Sequence, residues 1–219
     1  MRELAPSLWQ LDGLPPHAIN VYLVGQVLID AATRWAAPRI LRQLGDRRLS
    51  MLALTHVHPD HQGAAHTICQ GRAIPLACHA ADVPTMEGRR PMQPENRFIR
   101  LSTRVWAGPP HSVERVLNEG DEIAGFRVVH TPGHTAGHIV FFRETDRVAI
   151  VGDILFGMNL LTTWPGLHEP PGFFCTDQAE NRRSIRRLAE LSPKLLCFGH
   201  GPPLRDMGQL ERFLARLPG

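Results

Sequence analysis

Apolar positions fall in short runs parted by glycine, proline and charge, never in one long stretch. Ser7 to Leu11, Ile19 to Val24 and Val27 to Asp30 are strand-like, separated by the turn-rich Asp12 to Pro16 and by Gly25, and together predict an antiparallel meander. The period then changes. In Pro38 to Leu44, Ile40, Leu41 and Leu44 share one side, Arg39, Arg42 and Gln43 the other, and Gly45 stops the helix. Met51 to Leu54 predicts a buried strand, Asp60 to Cys69 a helix and Ile74 to Cys78 another strand, so this half alternates strand with helix. Val83 to Pro110, with Pro84, Pro91, Pro94, Pro109 and Pro110 and a run of arginines, predicts an irregular loop walling a cleft. Its arginines are anion contacts or a solvated basic surface.

The second half repeats the pattern. Phe126 to His130, His138 to Phe142, Val148 to Val151 and Leu195 to Phe198 predict strands. Asp177 and Glu180 stand at capping-box spacing before a helix to Leu191, with Ile185, Leu188 and Leu191 inward. Leu210, Phe213, Leu214 and Leu217 mark a closing amphipathic helix. Layers of sheet and helix are the expected architecture.

Composition narrows the class. A chain of 219 residues, 43% apolar and 21% charged, is long enough for one sizeable core, and residues 1–219 are expected to form a single domain. The net charge is only +3, and Lys194 is the sole lysine among 24 basic residues; that skew reflects base composition better than a nucleic-acid partner. The arginine-rich face of the Asp177 to Leu191 helix is therefore read as solvated. Cys69, Cys78, Cys175 and Cys197 stand singly, so they are expected reduced and mostly buried. Met1 to Gln10 lacks a signal-peptide core and no apolar run reaches spanning length. A cytoplasmic protein with a small-molecule substrate, and neither nucleic acid nor membrane as partner, is the expectation.

The chemistry concentrates at strand ends. Thr55-His56-Val57-His58-Pro59-Asp60-His61 follows the strand Met51 to Leu54. In extended chain, His56 and His58 point the same way, and the turn at Pro59 swings Asp60 and His61 toward a neighbouring position. Four donors thus split into two pairs, suited to two adjacent metals. Desolvating so many imidazoles is costly unless something holds them neutral. His134, in the tight turn Thr131-Pro132-Gly133-His134, Asp153 after Gly152, and His200 between Gly199 and Gly201 each follow an apolar strand. Asp153 is suited to bridge two ions with its two oxygens. Asp30 either orients a ligand histidine from behind or caps a turn. His138 is a supporting partner or a plain strand residue.

His-x-His-x-Asp-His, then His in Thr-Pro-Gly-His, then Gly-Asp and Gly-His-Gly resemble the metallo-β-lactamase-fold metallohydrolase superfamily, with Thr131 to His138 most similar to its glyoxalase II-like branch. The resemblance implies an α/β, four-layer αββα sandwich. It also implies a dinuclear site with His56, His58 and His134 at one metal, Asp60, His61 and His200 at the other, and Asp153 bridging. Two divalent ions, zinc first and iron or manganese as alternatives, then give a bridging hydroxide that attacks a small ester, thioester or lactone. Asp60 is assigned a catalytic duty, orienting that nucleophile or passing its proton to the leaving group.

Only nineteen residues follow His200, and Lys194 and Tyr22 are poorly placed to hold a thiol peptide, unlike the helical glutathione-binding region of that branch. A more apolar substrate is suggested by the Gly/Pro-rich segment Phe156 to Phe174, where Phe156, Trp164, Phe173 and Phe174 are candidate substrate contacts in a candidate lid. Persulfide dioxygenases resemble the same fold and use one iron at positions matching His56, His134 and Asp153, which makes a mononuclear oxidoreductase the alternative.

Overall fold

The structure is a computed structural model and describes residues 1–218. Its first sheet begins with an antiparallel meander of β1 (Arg2–Ala5), β2 (Leu8–Gln10), β3 (Tyr22–Val24) and β4 (Val27–Ile29). The chain then crosses over through α1 (Ala37–Leu44) to β5 (Met51–Ala53), through α2 (Pro59–Gln62) and α3 (Ala65–Arg72) to β6 (Leu76–His79), and through α4 (Val83–Met86) and α5 (Arg97–Trp106) to β7 (Arg115–Leu117). Each crossover returns a parallel strand, so the seven strands lie in sequence order. The second sheet holds β8 (Glu122–Ile123), β9 (Phe126–His130), β10 (Ile139–Arg143) and β11 (Val148–Gly152). A hairpin of β12 (Phe156–Met158) and β13 (Pro165–His168) and a long helix α6 (Gln178–Glu190) lead to β14 (Leu195–Phe198), which pairs parallel with β11, and α7 (Met207–Leu214) ends the described chain.

Period-two alternation assigns the layers. Phe126, Val128, Ile139, Phe141, Val148 and Ile150 face Tyr22, Val24, Val27, Ile29 and Ala53 of the other sheet. The alternate residues Val129, Val140, Phe142, Ala149 and Val151 pack on Ile185, Leu188 and Leu210 from α6 and α7. On the far side Leu23, Leu28, Leu52 and Leu76 meet Ile40, Leu44 and Ile68 of α1 and α3. Three apolar seams between four layers make the αββα sandwich. All four cysteines are free and buried. Among the described residues no helix is long and apolar enough to cross a membrane.

The structure corrects three expected elements. Asp60 to Cys69 is not one helix: α2 ends at Gln62 and α3 begins at Ala65. At the junction Gly63 lies against the backbone of Thr33 and Arg34, where a Cβ has no room, and Ala64 leaves the helical conformation. Val83 to Pro110 is not an irregular loop, because it contains α4 and α5, the latter capped by Asn96, whose Oδ1 accepts the Ile99 N–H at 2.9 Å. Phe156 to Phe174 is likewise partly ordered, as the β12–β13 hairpin and a 3-10 turn over Gly172–Phe174.

At the end of β6 the His79 ring stacks on His130 with centroids 4.0 Å apart. Burial, then the neighbouring His130, lowers His79 to about 4, below its ordinary 6.5. Between those values the unfolded chain takes up a proton that the folded chain refuses, so this contribution is complete above about pH 6.5 and is lost as pH falls toward 4. His79→Asn retains an acceptor near the Nδ1 position that receives the Ala81 N–H. Urea unfolding should show less acid destabilisation in the variant than in the parent between about pH 7.5 and 5.

Candidate metal centre

The turns that follow strands deliver the donors, with Asp60 and His61 carried on the short helix α2. β4 and β5 are parallel neighbours, so Asp30 after one meets Thr55 after the other. Asp30 Oδ1 accepts the Thr55 N–H at 2.8 Å, and Oδ2 accepts the Thr55 hydroxyl and His61 Nδ1–H, both at 2.9 Å. His58 occupies the N-cap of α2 in extended backbone, and Pro59, which needs no N–H partner there, starts the turn that carries Asp60 and His61 back over the site. The Thr131 to His138 turn is seated on the start of α6: Ser184 Oγ donates to Pro132 O at 2.7 Å and the Thr176 N–H to His134 O at 3.1 Å. Gly199 precedes His200 because a Cβ there would collide with Asp153 Oδ1 and the His61 ring. The loop after β14 is held by the meander, with Asn20 Nδ2 donating to Phe198 O and Gly201 O and Tyr22 OH donating to Phe198 O.

Hydrogen bonds around the rim set the tautomers. Thr55 Oγ1 gives its hydrogen to Asp30 and so accepts from His56 Nδ1–H at 3.1 Å. His58 Nε2–H donates to Gln93 O at 2.7 Å, His61 Nδ1–H to Asp30, and His200 Nδ1–H to Ala18 O. His134 Nδ1 faces Cys175 Sγ at 3.8 Å. The opposite nitrogens of His56, His58, His61 and His200 are thereby turned inward together with His134 Nε2, each able to offer its lone pair to a cation once it carries no proton. His134 Nε2 and His58 Nδ1 are 2.9 Å apart, while Asp153 Oδ2 lies 3.1 Å from His200 Nε2, 3.4 Å from His61, 3.7 Å from His134 and 3.9 Å from His56.

The donors fall into overlapping groups: His56, His58 and His134; His56, His61 and Asp153; and Asp60, His61 and His200, with ligand atoms within 4.8 Å of one another in each. His56 Nε2, His61 Nε2 and Asp153 Oδ1 are buried without a hydrogen-bond partner. Such atoms are costly to leave unpaired, and a cation among them removes the cost. The residues present thus fit divalent metal: borderline-soft imidazoles, two carboxylates and lone pairs already aimed. Without a cation the cluster is electrostatically divided. Burial holds His56 and His134 well below 6.5. Burial also opposes charge on His61 and His200, but Asp153 outweighs it, helped by Asp30 at His61 and Asp60 at His200, raising the latter to about 10. Burial works against Asp153 too, yet His200 and His61 hold its carboxyl well below 3.8.

The supporting and substrate residues named from the sequence separate here. His138 is buried and neutral, pushed down to about 3 by burial; its Nδ1–H meets Thr131 Oγ1 and its Nε2 accepts the Asp153 N–H at 3.0 Å, which fixes the carboxylate from behind. Phe156 sits edge-on to the ligand rings, 5.1 Å from His200 and 6.5 Å from His134. Phe173 and Phe174 form an aromatic group with Phe98 of α5, tied by Asn96 Nδ2 to Phe173 O at 2.7 Å. Trp164 stands at the hairpin, three-quarters exposed, with no ring contact to the cluster among the described residues.

Four contributors escaped the sequence reading: Thr55, Gln93, Cys175 and above all Asp82. Asp82 is buried behind both ligand turns, its Oδ2 accepting the Val57 N–H at 2.9 Å and the Thr135 hydroxyl at 3.1 Å, its Oδ1 the Gly137 N–H at 3.1 Å. Val57 lies between His56 and His58, and Thr135 follows His134, so one carboxylate spans the two turns. Burial raises it to about 6 against the pull of those bonds. Asp82→Ala leaves two buried N–H groups without acceptors; it should cost about 2–5 kcal/mol in urea unfolding and weaken metal affinity about 10–100-fold in chelator competition.

Comparison with known proteins agrees with this geometry. A family model described as "Metallo-beta-lactamase superfamily" matches residues 14–200. The chain is 30% identical to the "Probable metallo-hydrolase YflN" of Bacillus subtilis, over 89% of this chain and 84% of that protein. It is 29% identical to a "Hydroxyacylglutathione hydrolase" of Cereibacter sphaeroides, over 74% of this chain but about half (52%) of that one. Among solved structures, the metallo-beta-lactamase family protein TTHA1429 from Thermus thermophilus superposes with a TM-score of 0.70 at 26% identity, covering 97% of this chain and 80% of that one. TTHA1623, described in a di-iron-bound form, does so at 0.63 and 28%, covering 98% and 96%.

Proposed function

The chain belongs to the metallo-beta-lactamase superfamily of metal-dependent hydrolases, and from that premise we propose that it hydrolyses a small ester, thioester or lactone at a two-ion centre. In this reading His56, His58 and His134 hold one ion, Asp60, His61 and His200 the other, and Asp153 lies between them. The observation that supports it is the convergence of four imidazole nitrogens on the Asp153 carboxylate, with a donor group on either side. Zinc is the proposed metal, and the same imidazole and carboxylate donors accept iron or manganese.

Two ions bound there would supply a water-derived nucleophile at neutral pH and polarise the scissile carbonyl. The side chains supply the remainder. Asp60 is the most exposed member of the donor set, at 19%. Burial opposes its charge, but the His200 ring 3.3 Å away outweighs it and keeps the carboxylate ionised, able to orient an attacking water and pass a proton to the leaving oxygen or sulfur. Asp30, His138 and Thr55 fix the rings and Asp153. Phe156 covers the His200 and His134 side of the site and keeps bulk water from it.

The test is elemental analysis of protein purified without added metal, beside turnover on ester, thioester, lactone and phosphodiester substrates. About two ions per chain with hydrolysis of the acyl substrates is the expected result. One tightly held iron, with oxygen consumed on a persulfide and no hydrolysis, would replace this reading with a dioxygenase.

A further inference from the structure

The helix α5 turns its more apolar side outward. Ile99 and Ser102 are buried, yet Phe98 is 43% exposed, Leu101 63%, Val105 42% and Trp106 38%. At about 100° per residue, Leu101, Val105 and Phe98 fall in one sector about 60° wide, and Arg100, Arg104 and Arg97 fill the adjoining sector. All three arginines are exposed, no ion pair engages them among the described residues, and the helix has no acidic residue. The acids of this segment, Glu87 and Glu95, lie outside the helix, and Glu87 is held by Arg89. Phe173, half exposed, continues the apolar strip at the end of α5 where Asn96 binds its carbonyl.

We propose that the α5 face is a peripheral docking surface for an anionic lipid bilayer, with Leu101, Val105 and Phe98 entering the headgroup boundary and Arg97, Arg100 and Arg104 meeting lipid phosphates. An exposed apolar strip flanked by cations alone is the signature of an interfacial helix. Two other occupants fit less well. A second copy placed about a two-fold axis brings arginine stripe against arginine stripe, since the helix has no carboxylate to answer it. A nucleic-acid strand needs faces on which bases stack, but the centre of the strip is aliphatic Leu101 and Val105. The expectation of no membrane partner rests on spanning length, which surface docking does not require. Docking would set the bilayer beside the site, because α5 packs on α2, which carries Asp60 and His61, and Gln93 just before it holds His58.

Flotation of the intact, metal-loaded protein with vesicles of phosphatidylcholine plus phosphatidylglycerol, against phosphatidylcholine alone, tests this. Binding to the anionic vesicles, weakened by salt, is expected. Leu101→Asp with Val105→Asp, and separately Arg100→Glu with Arg104→Glu, should each reduce it about tenfold or more while leaving melting temperature and metal content unchanged. Absence of wild-type binding, or binding that both variants retain, overturns the proposal. A wild-type dimer in light scattering that Leu101→Asp with Val105→Asp turns into monomer overturns it as well and assigns the face to a second copy.

Discussion

Asp153→Ala is expected to remove metal and turnover together. Its carboxylate is the nearest group shared by the two donor sets, within 3.1–3.9 Å of four imidazole nitrogens, and His138 fixes its backbone. Alanine leaves five rings with no negative charge at their centre. His61 and His200, whose protons are held mainly by Asp153 against burial, then shift downward, and neutral rings alone bind divalent ions more weakly. kcat/KM on any hydrolysed substrate should fall by about 10³-fold or more, with elemental analysis showing depleted metal. Added zinc should no longer raise the melting temperature, because ligand-linked stabilisation requires a site that binds. Full metal occupancy with preserved turnover would sink the two-ion assignment.

Asp60→Asn should separate chemistry from binding. The amide keeps the shape of the side chain but cannot accept a proton, and Asp60 lies at the edge of the cluster, nearest His200 at 3.3 Å, whereas Asp153 reaches four rings. Metal content should stay close to the parent at the His56, His58 and His134 group. Turnover is expected to drop about 10²–10⁴-fold with KM shifted by less than about threefold. Equal losses in kcat and in substrate affinity would instead make Asp60 a binding group alone. The His200 pKa offers an independent check: NMR titration of metal-free protein should show it lowered in the variant, since Asp60 helps raise it.

Why were the donors easier to read than their supports? Several of the candidate donors that the structure gathers follow an apolar run, so strand periodicity and residue chemistry pointed to the same place: His56 after Met51–Ala53, Asp153 after Val148–Gly152, His200 after Leu195–Phe198. Their neighbours carried no such double signal. Asp82, in His79-Ala80-Ala81-Asp82, has the look of an ordinary turn acid, and only tertiary packing brings Val57, Thr135 and Gly137 to it. The close packing of Gly63, between α2 and α3, on the distant Thr33 and Arg34 backbone is likewise encoded by no local pattern. For α5 a usable signal existed: Asn96 as N-cap with Ile99 and Ser102 on one side. The prolines and arginines around it masked that period, and the outward apolar strip ran against the usual rule that the apolar face of a helix is buried.

The grip of Asn20 and Tyr22 on the loop carrying His200 has a consequence for how the molecule comes into being on the ribosome. The N-terminal meander emerges well before Phe198 and Gly201, whose carbonyls Asn20 binds 178 and 181 residues further along the chain. Domains close such long-range contacts only once both partners are free. The His56, His58 and His134 group can therefore assemble during translation, whereas the Asp60, His61 and His200 group is completed after β14 has docked beside β11. A chain stalled before β14 lacks His200, so on the proposed two-ion reading it would offer a metal only the His56, His58 and His134 group.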